Sequence, residues 1–203
     1  QFDGIIARDL ALLKNVAPAG TPTVVFRYSR QEAAETVFVE TDDRAISHAV
    51  AIHFQQRGFR HYAFCGIRDL AWSLQRGEFF VAAVEDAGFS VECYWAAALH
   101  TNEGLTTRET RDLKRWLHAL PKPVALMSAN DDVGRILVQI CRDSGLRVPE
   151  ECSVVGVDND PVVCGLCNPP LSSVEVRFRQ AGYRAAAALD AMMQGRQPDV
   201  PII

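Results

Sequence analysis

The sequence predicts an α/β fold, a parallel, doubly wound sheet with helices packed on its faces. Three observations predict it. Short β-branched apolar runs alternate with longer segments whose apolar residues recur at helical spacing. Gly58, Gly88, Gly145 and Gly195 fall where the helical segments stop. Two runs, Val124–Ser128 and Ser153–Val157, are apolar but for a serine each, as in strands buried on both faces. Both end abruptly in polar side chains, Ala129-Asn130-Asp131-Asp132 and Asp158-Asn159-Asp160-Pro161. Ligands bind at that carboxyl edge of open α/β sheets, and carboxylates beside amides suit a small polyhydroxylated ligand.

The elements follow in order. Gly4–Ala7 reads as a strand, Leu10–Asn15 as a helical piece, Thr23–Phe26 as a strand and Thr36–Glu40 as an extended run. Asp42 caps a long helix with Ile46, Val50 and Phe54 on its apolar side, ending at Gly58. Tyr62–Cys65 is a strand, Leu74–Ala87 a helix, Val91–Trp95 a strand and His100–Thr106 a polar loop. The helix Thr107–Ala119 stops at Pro121-Lys122-Pro123, which introduces the strand Val124–Ser128. A helix over Asp131–Ser144 precedes Ser153–Val157. The long loop Asp158–Pro170 leads to the strand Ser172–Val176 and the helix Arg177–Gln194. That loop and the break near Thr41-Asp42 bracket a central block, 43–161, with 1–42 and 162–203 assigned to another lobe.

The bulk numbers exclude several classes. The 203 residues, 48% hydrophobic and 23% charged, suit one large or two small globular units. A net charge of −4 without a basic stripe leaves no footprint for nucleic-acid phosphates. No apolar run nears the roughly 18 residues of a membrane span. No signal-peptide pattern opens the chain, which enters a strand without an initiator Met and so reads as an excised or processed piece. The six cysteines show no disulfide framework. Cys164 and Cys167 form a CxxC that lacks a preceding thioredoxin-like context or a second ligand pair, so reduced cytoplasmic thiols are expected. The five histidines form no HxxxH or HxH, so no metal site is expected. No GxSxG, Walker A or GxGxxG occurs, so neither an enzyme nor a cofactor is expected. Asp131, Asp132 and Asp158 are the one catalytic alternative, an acid–base set for glycoside hydrolysis of unknown separation.

Val148-Pro149-Glu150, then Ser153-Val154-Val155-Gly156-Val157-Asp158-Asn159, resembles the effector domain of the lactose/galactose repressor family. The preceding Ala129-Asn130-Asp131 and the following Asn168-Pro169-Pro170-Leu171-Ser172-Ser173-Val174 belong to the same pattern. Trp72-Ser73-Leu74-Gln75-Arg76 is similar to xylose-operon activators, which carry this domain ahead of an AraC-type helix-turn-helix module. The resemblance implies the type I periplasmic-binding-protein-like fold in two lobes, with the amino-terminal lobe truncated by two β–α units. It implies a ligand-sensing domain of a bacterial transcription regulator that binds a xylose-like sugar between the lobes. It further implies a cytoplasmic homodimer that reaches DNA only through a module absent from this chain. The other reading is an extracytoplasmic sugar-binding protein of a transporter, against which six unpaired cysteines argue.

Four residues are candidate ligand contacts. Asp158 either accepts sugar hydroxyls or merely starts a turn. Asn130 stands where a helix N-cap belongs, and the resemblance makes it the hydroxyl-binding amide; the two roles are compatible. Arg76, in a first helical turn against the macrodipole preference, is either a planar donor fork for adjacent hydroxyls or a solvated arginine. Where the family has Arg-x-x-Gly-Phe this chain reads Arg76-Gly77-Glu78-Phe79-Phe80, without that glycine. Trp72, read as a loop residue, either stacks on a sugar's C–H face or covers a lobe edge. Asp131 and Asp132 are expected as capping charges.

Overall fold

The computed structural model describes residues 3–9, 13, 18, 20–26, 36–97 and 105–198. The helical piece expected at Leu10–Asn15 lies outside them except for Leu13, as does most of the loop His100–Thr106. The chain divides into two compact units, one of residues 1–42, 70–72 and 176–203, the other of 43–69 and 73–175.

In the first unit, strands β1 (Ile5–Ala7), β2 (Thr23–Phe26) and β3 (Thr36–Val39) form a parallel sheet in that order. The final helix, α6 (Phe178–Met193), lays its small residues on this sheet. Ala181, Ala185 and Ala188 recur at helical spacing and are buried with Val24 and Val39. Alanine at these positions lets helix and sheet approach closely. The same economy leaves Phe178 and Tyr183 on the outer side of α6, 52% and 78% exposed.

The second unit is built on five parallel strands in the order β5-β4-β6-β7-β8. They are β4 (His61–Ile67), β5 (Val91–Ala96), β6 (Val124–Ser128), β7 (Cys152–Asp158) and β8 (Ser172–Glu175). Helix α1 (Asp43–Gln56) precedes β4, and α2 (Ala71–Glu85), α3 (Thr107–Ala119) and α4 (Asp131–Asp143) connect β4 to β5, β5 to β6 and β6 to β7. Every residue of β6 is buried, as are Tyr62–Ile67 of β4, which explains their unbroken apolar character. Phe64, Phe80 and Trp95 pack together, and Gly66 and Gly77 make room for them. A β-carbon on Gly77 would stand 2.7 Å from both Phe64 and Trp95. At position 79, where the family pattern has glycine, the Phe79 ring lies 4.7 Å beneath the Arg44 guanidinium.

Helix ends form where the sequence placed them. Thr106 and Glu109 make a reciprocal capping box on α3. Gly58 and Gly145 take φ of +76° and +74° just beyond α1 and α4, conformations that cost an L side chain. Lys122 donates to the Leu117 and Leu120 carbonyls at 2.6 and 2.8 Å, supplying acceptors at the end of α3 with a cation.

Two expectations change. The segment 158–170 is not one long loop, because Pro161–Leu166 is a short helix, α5. The Asp160 carboxylate accepts from the amides of Val162 and Val163, and Pro161 occupies the first helical position. The boundary read at 161/162 also moves. Val155–Asp158 of β7 pairs in register with Ser172–Glu175 of β8, so 162–175 belongs to the five-stranded unit and the chain leaves it at Glu175/Val176. Among the described residues no helix is long and apolar enough to cross a membrane.

Candidate functional site

The strand order fixes where a ligand can enter the five-stranded unit. After β5 the chain crosses over β4 to add β6, so the winding direction reverses between β4 and β6. Connections diverge at such a reversal and leave a crevice at the carboxyl ends of the strands. Asn130 follows β6 by two residues and Asp158 ends the neighbouring β7. The two strands run side by side up to the pair Met127↔Val155, so Asn130 and Asp158 leave neighbouring strands at the same edge of the sheet.

Asn130 fills the capping role read from the sequence. It is the N-cap of α4, and its Oδ1 accepts from the Val133 amide at 3.1 Å. Capping uses the carbonyl end of the side chain. The Nδ2 amide makes no hydrogen bond to any described residue and remains a donor at the crevice.

Asp158 is half-buried, and among the described residues no hydrogen bond reaches its carboxylate. Burial pushes its carboxyl up to about 7. Arg76 opposes the rise, whereas Asp131, Asp132 and Asp160 add to it. A partly desolvated carboxyl without donors from the described residues is open to a hydroxyl that arrives. The pH dependence follows. The folded carboxyl keeps its proton up to about pH 7, while the unfolded one loses it near about pH 4. Between these limits the folded state binds more protons, so this group's contribution to stability falls as pH rises. Asp158→Asn should match the wild type near about pH 4 and become progressively more stable than it toward about pH 8. Urea unfolding across that range checks this, and a difference that stays flat with pH contradicts it.

Arg76 is neither a solvated side chain nor an open fork. It is 2% exposed, lies in the second turn of α2, and its Nε and Nη2 donate to Asp43 Oδ1 at 2.9 and 2.7 Å. Its Nη1 donates to the Ala129 carbonyl, the residue before Asn130. Ser47 in turn donates to the Arg76 carbonyl at 2.8 Å. The arginine thus ties the start of α1 to the end of β6, and its charge acts on Asp158.

Asp131 is more than a capping charge, and sequence reasoning missed its part. It is 2% exposed. Its Oδ2 accepts from the Asp160 amide at 2.8 Å and from the Cys164 thiol at 3.3 Å, and its Oδ1 accepts from the Ser173 hydroxyl. Ser173 Oγ also accepts from the Asn159 amide at 3.0 Å. The backbone held this way is costly: Asp158 has φ +118° and Asn159 φ +53°, each worth about 1–3 kcal/mol for a non-glycine residue. The bonds that Asp131 accepts from the Asp160 amide and the Ser173 hydroxyl hold this turn in place. One signal was legible. Gly156 interrupts a β-branched strand, which marks a close approach, and a β-carbon there would lie 2.2 Å from Asp131 Oδ1.

The CxxC is part of this packing. Burial and the hydrogen bond to Asp131 push the Cys164 thiol up to about 12, keeping it a proton donor. Cys167 donates to the Val163 carbonyl, and all six cysteines are free thiols. Asp132 is exposed. Trp72 is not in a loop: it is the second residue of α2, half-buried, and it clusters with the first unit, whereas Asn130, Asp158 and Arg76 all lie in the second.

Comparison with known proteins agrees with this architecture. The chain is 31% identical over 208 aligned residues to the xylose operon regulatory protein of Haemophilus influenzae, covering 97% of this chain and 52% of the relative. It is 27% identical to the xylose operon regulatory protein of Escherichia coli K12, covering 94% and 50% respectively. The chain thus spans about half the length of the curated relatives it matches. The solved structure of a xylose-binding transcription activator superposes with a TM-score of 0.83 at 25% identity, covering 99% of this chain and 55% of that one. Residues 51–201 match the family described as periplasmic binding protein-like domain, and the chain belongs to that family.

Proposed function

We propose that this chain is the sugar-sensing part of a bacterial transcription regulator and that it binds a xylose-like pentose without transforming it. One observation carries the reading: a partly desolvated Asp158 carboxyl at the end of β7 and a donor amide on Asn130 just beyond the adjacent β6 emerge at the same sheet edge beside the switch point, neither hydrogen-bonded there by any described residue. Adjacent hydroxyls of a sugar each donate and accept, so one ligand meets both needs. Arg76 enters through its charge and its hold on Ala129. The reading of Trp72 as a stacking face is carried as part of the same proposal. The similarity to xylose operon regulators supports the pentose and the regulatory role. DNA would be reached through a separate module, in a homodimer. Sugar acts on such a regulator only by binding one of its states better than another.

The test is calorimetric titration of the intact protein with D-xylose, beside D-ribose and D-glucose. Asp158→Ala should weaken xylose binding at least about tenfold, or roughly 1.4 kcal/mol. Unchanged affinity in that variant refutes the assignment.

A further inference from the structure

The Asp131 carboxylate is buried and accepts hydrogen bonds from three segments. Its three donors come from three places: the turn after β7 (Asp160), helix α5 (Cys164) and strand β8 (Ser173). Two of these bonds control the residues that follow Asp158. The Asp160 amide binds Asp131 directly, and the Asn159 amide binds it through Ser173. Both amides belong to exposed residues that would otherwise turn toward water. The φ of +118° at Asp158 and of +53° at Asn159 are conformations that L residues rarely adopt unless their surroundings impose them. Gly156 supplies the space, since a side chain there would collide with the Asp131 carboxylate.

We infer that Asp131 is a positioning residue for the sugar site, its buried carboxylate setting the direction of Asp158 by fixing the amides of Asn159 and Asp160, directly and through Ser173. The inference rests on the sugar-binding reading given above. It makes Ser173 the relay. It also separates the neighbours Asn130 and Asp131, one presenting a donor to the crevice and the other anchoring the facing turn from within.

The experiment uses the intact protein with three substitutions, Asp131→Asn, Ser173→Ala and Ser173→Thr, and two readouts. Hydrogen exchange without sugar should show lost protection at the Asn159 and Asp160 amides in Asp131→Asn, and at Asn159 in Ser173→Ala, with β4 and β6 unchanged. Ser173→Thr, which keeps the hydroxyl, should restore it. D-xylose affinity should fall about tenfold in Asp131→Asn, as expected for losing about one charged hydrogen bond's worth of alignment. It should fall less in Ser173→Ala and recover in Ser173→Thr. Retained protection at Asn159 and Asp160 in Asp131→Asn overturns the inference, whatever the sugar does. Lost protection with unchanged xylose affinity overturns it too, since the turn would then be irrelevant to binding. If Asp131→Asn loosens the whole fold, Ser173→Ala against Ser173→Thr decides. A wild type that binds no pentose, with protection lost as described, defeats the sugar-binding reading and leaves the anchoring of the turn standing.

Discussion

Arg76→Leu should destabilise the protein by about 3–5 kcal/mol, the cost of leaving one member of a buried ion pair behind. The side chains of Arg76 and Asp43 are each 3% exposed, and the guanidinium meets one carboxylate oxygen twice, at 2.9 and 2.7 Å. Removing the arginine takes a cation from the buried Asp43 carboxylate and a donor from the Ala129 carbonyl. Both losses fall on groups that water cannot easily reach. Surface pairs of the kind formed by Arg147 and Glu151, whose arginine is 71% exposed, behave differently, because water screens both charges. Urea unfolding of Arg76→Leu and Arg147→Leu side by side makes the comparison. A loss below about 1 kcal/mol for Arg76→Leu would show that the pair is solvated in practice. The double variant Asp43→Leu, Arg76→Leu should lose less than the sum of its parts, because the two side chains share an interaction that either single substitution already removes.

Gly156→Ala is the second large effect, with an expected loss above about 3 kcal/mol. The added methyl would stand 2.2 Å from Asp131 Oδ1 and 3.0 Å from Leu171 Cδ2. Neither neighbour can retreat without cost. Leu171 is buried, and Asp131 moves only by surrendering the hydrogen bonds that hold Asp160, Cys164 and Ser173. Overpacking alone costs about 1–3 kcal/mol, and the broken charged bonds add to it. The control is Gly165→Ala on α5, where a β-carbon meets nothing within 4 Å. Helix propensity there favours alanine by about 0.5–1 kcal/mol. Thermal unfolding distinguishes the two, and a Gly156→Ala protein as stable as Gly165→Ala would mean that Asp131 is not wedged against the strand. In Asp131→Ala the same glycine substitution should cost much less, because its main obstacle is gone.

The architecture was legible because it depends on periodicity and on punctuation. Short, mainly apolar runs marked β6 and β7, most of whose residues are buried. Gly58 and Gly145 marked helix ends through a backbone requirement that holds whatever surrounds them. Asn130 was legible for the same reason: capping is local, and the amide left over by the cap can be counted from the side chain itself. Helix α5 went unread because Asp160-Pro161 serves turns and helix starts alike, and the helix is only six residues long.

Arg76 and Asp131 divide what local chemistry determines from what it cannot. The sequence by itself determined a parallel α/β sheet with acid- and amide-tipped strands and the candidate status of Asp158 and Asn130. Those conclusions need only spacing along the chain and the chemistry of single side chains. Only the tertiary structure decided that Arg76 grips Asp43, 33 residues away in sequence, and that Asp131 reaches 42 residues to Ser173. It also decided that β8 joins the larger sheet. A charged side chain has no intrinsic inside or outside. Its role depends on how much water its neighbours remove and which donors they bring, and those neighbours meet only when distant segments pack.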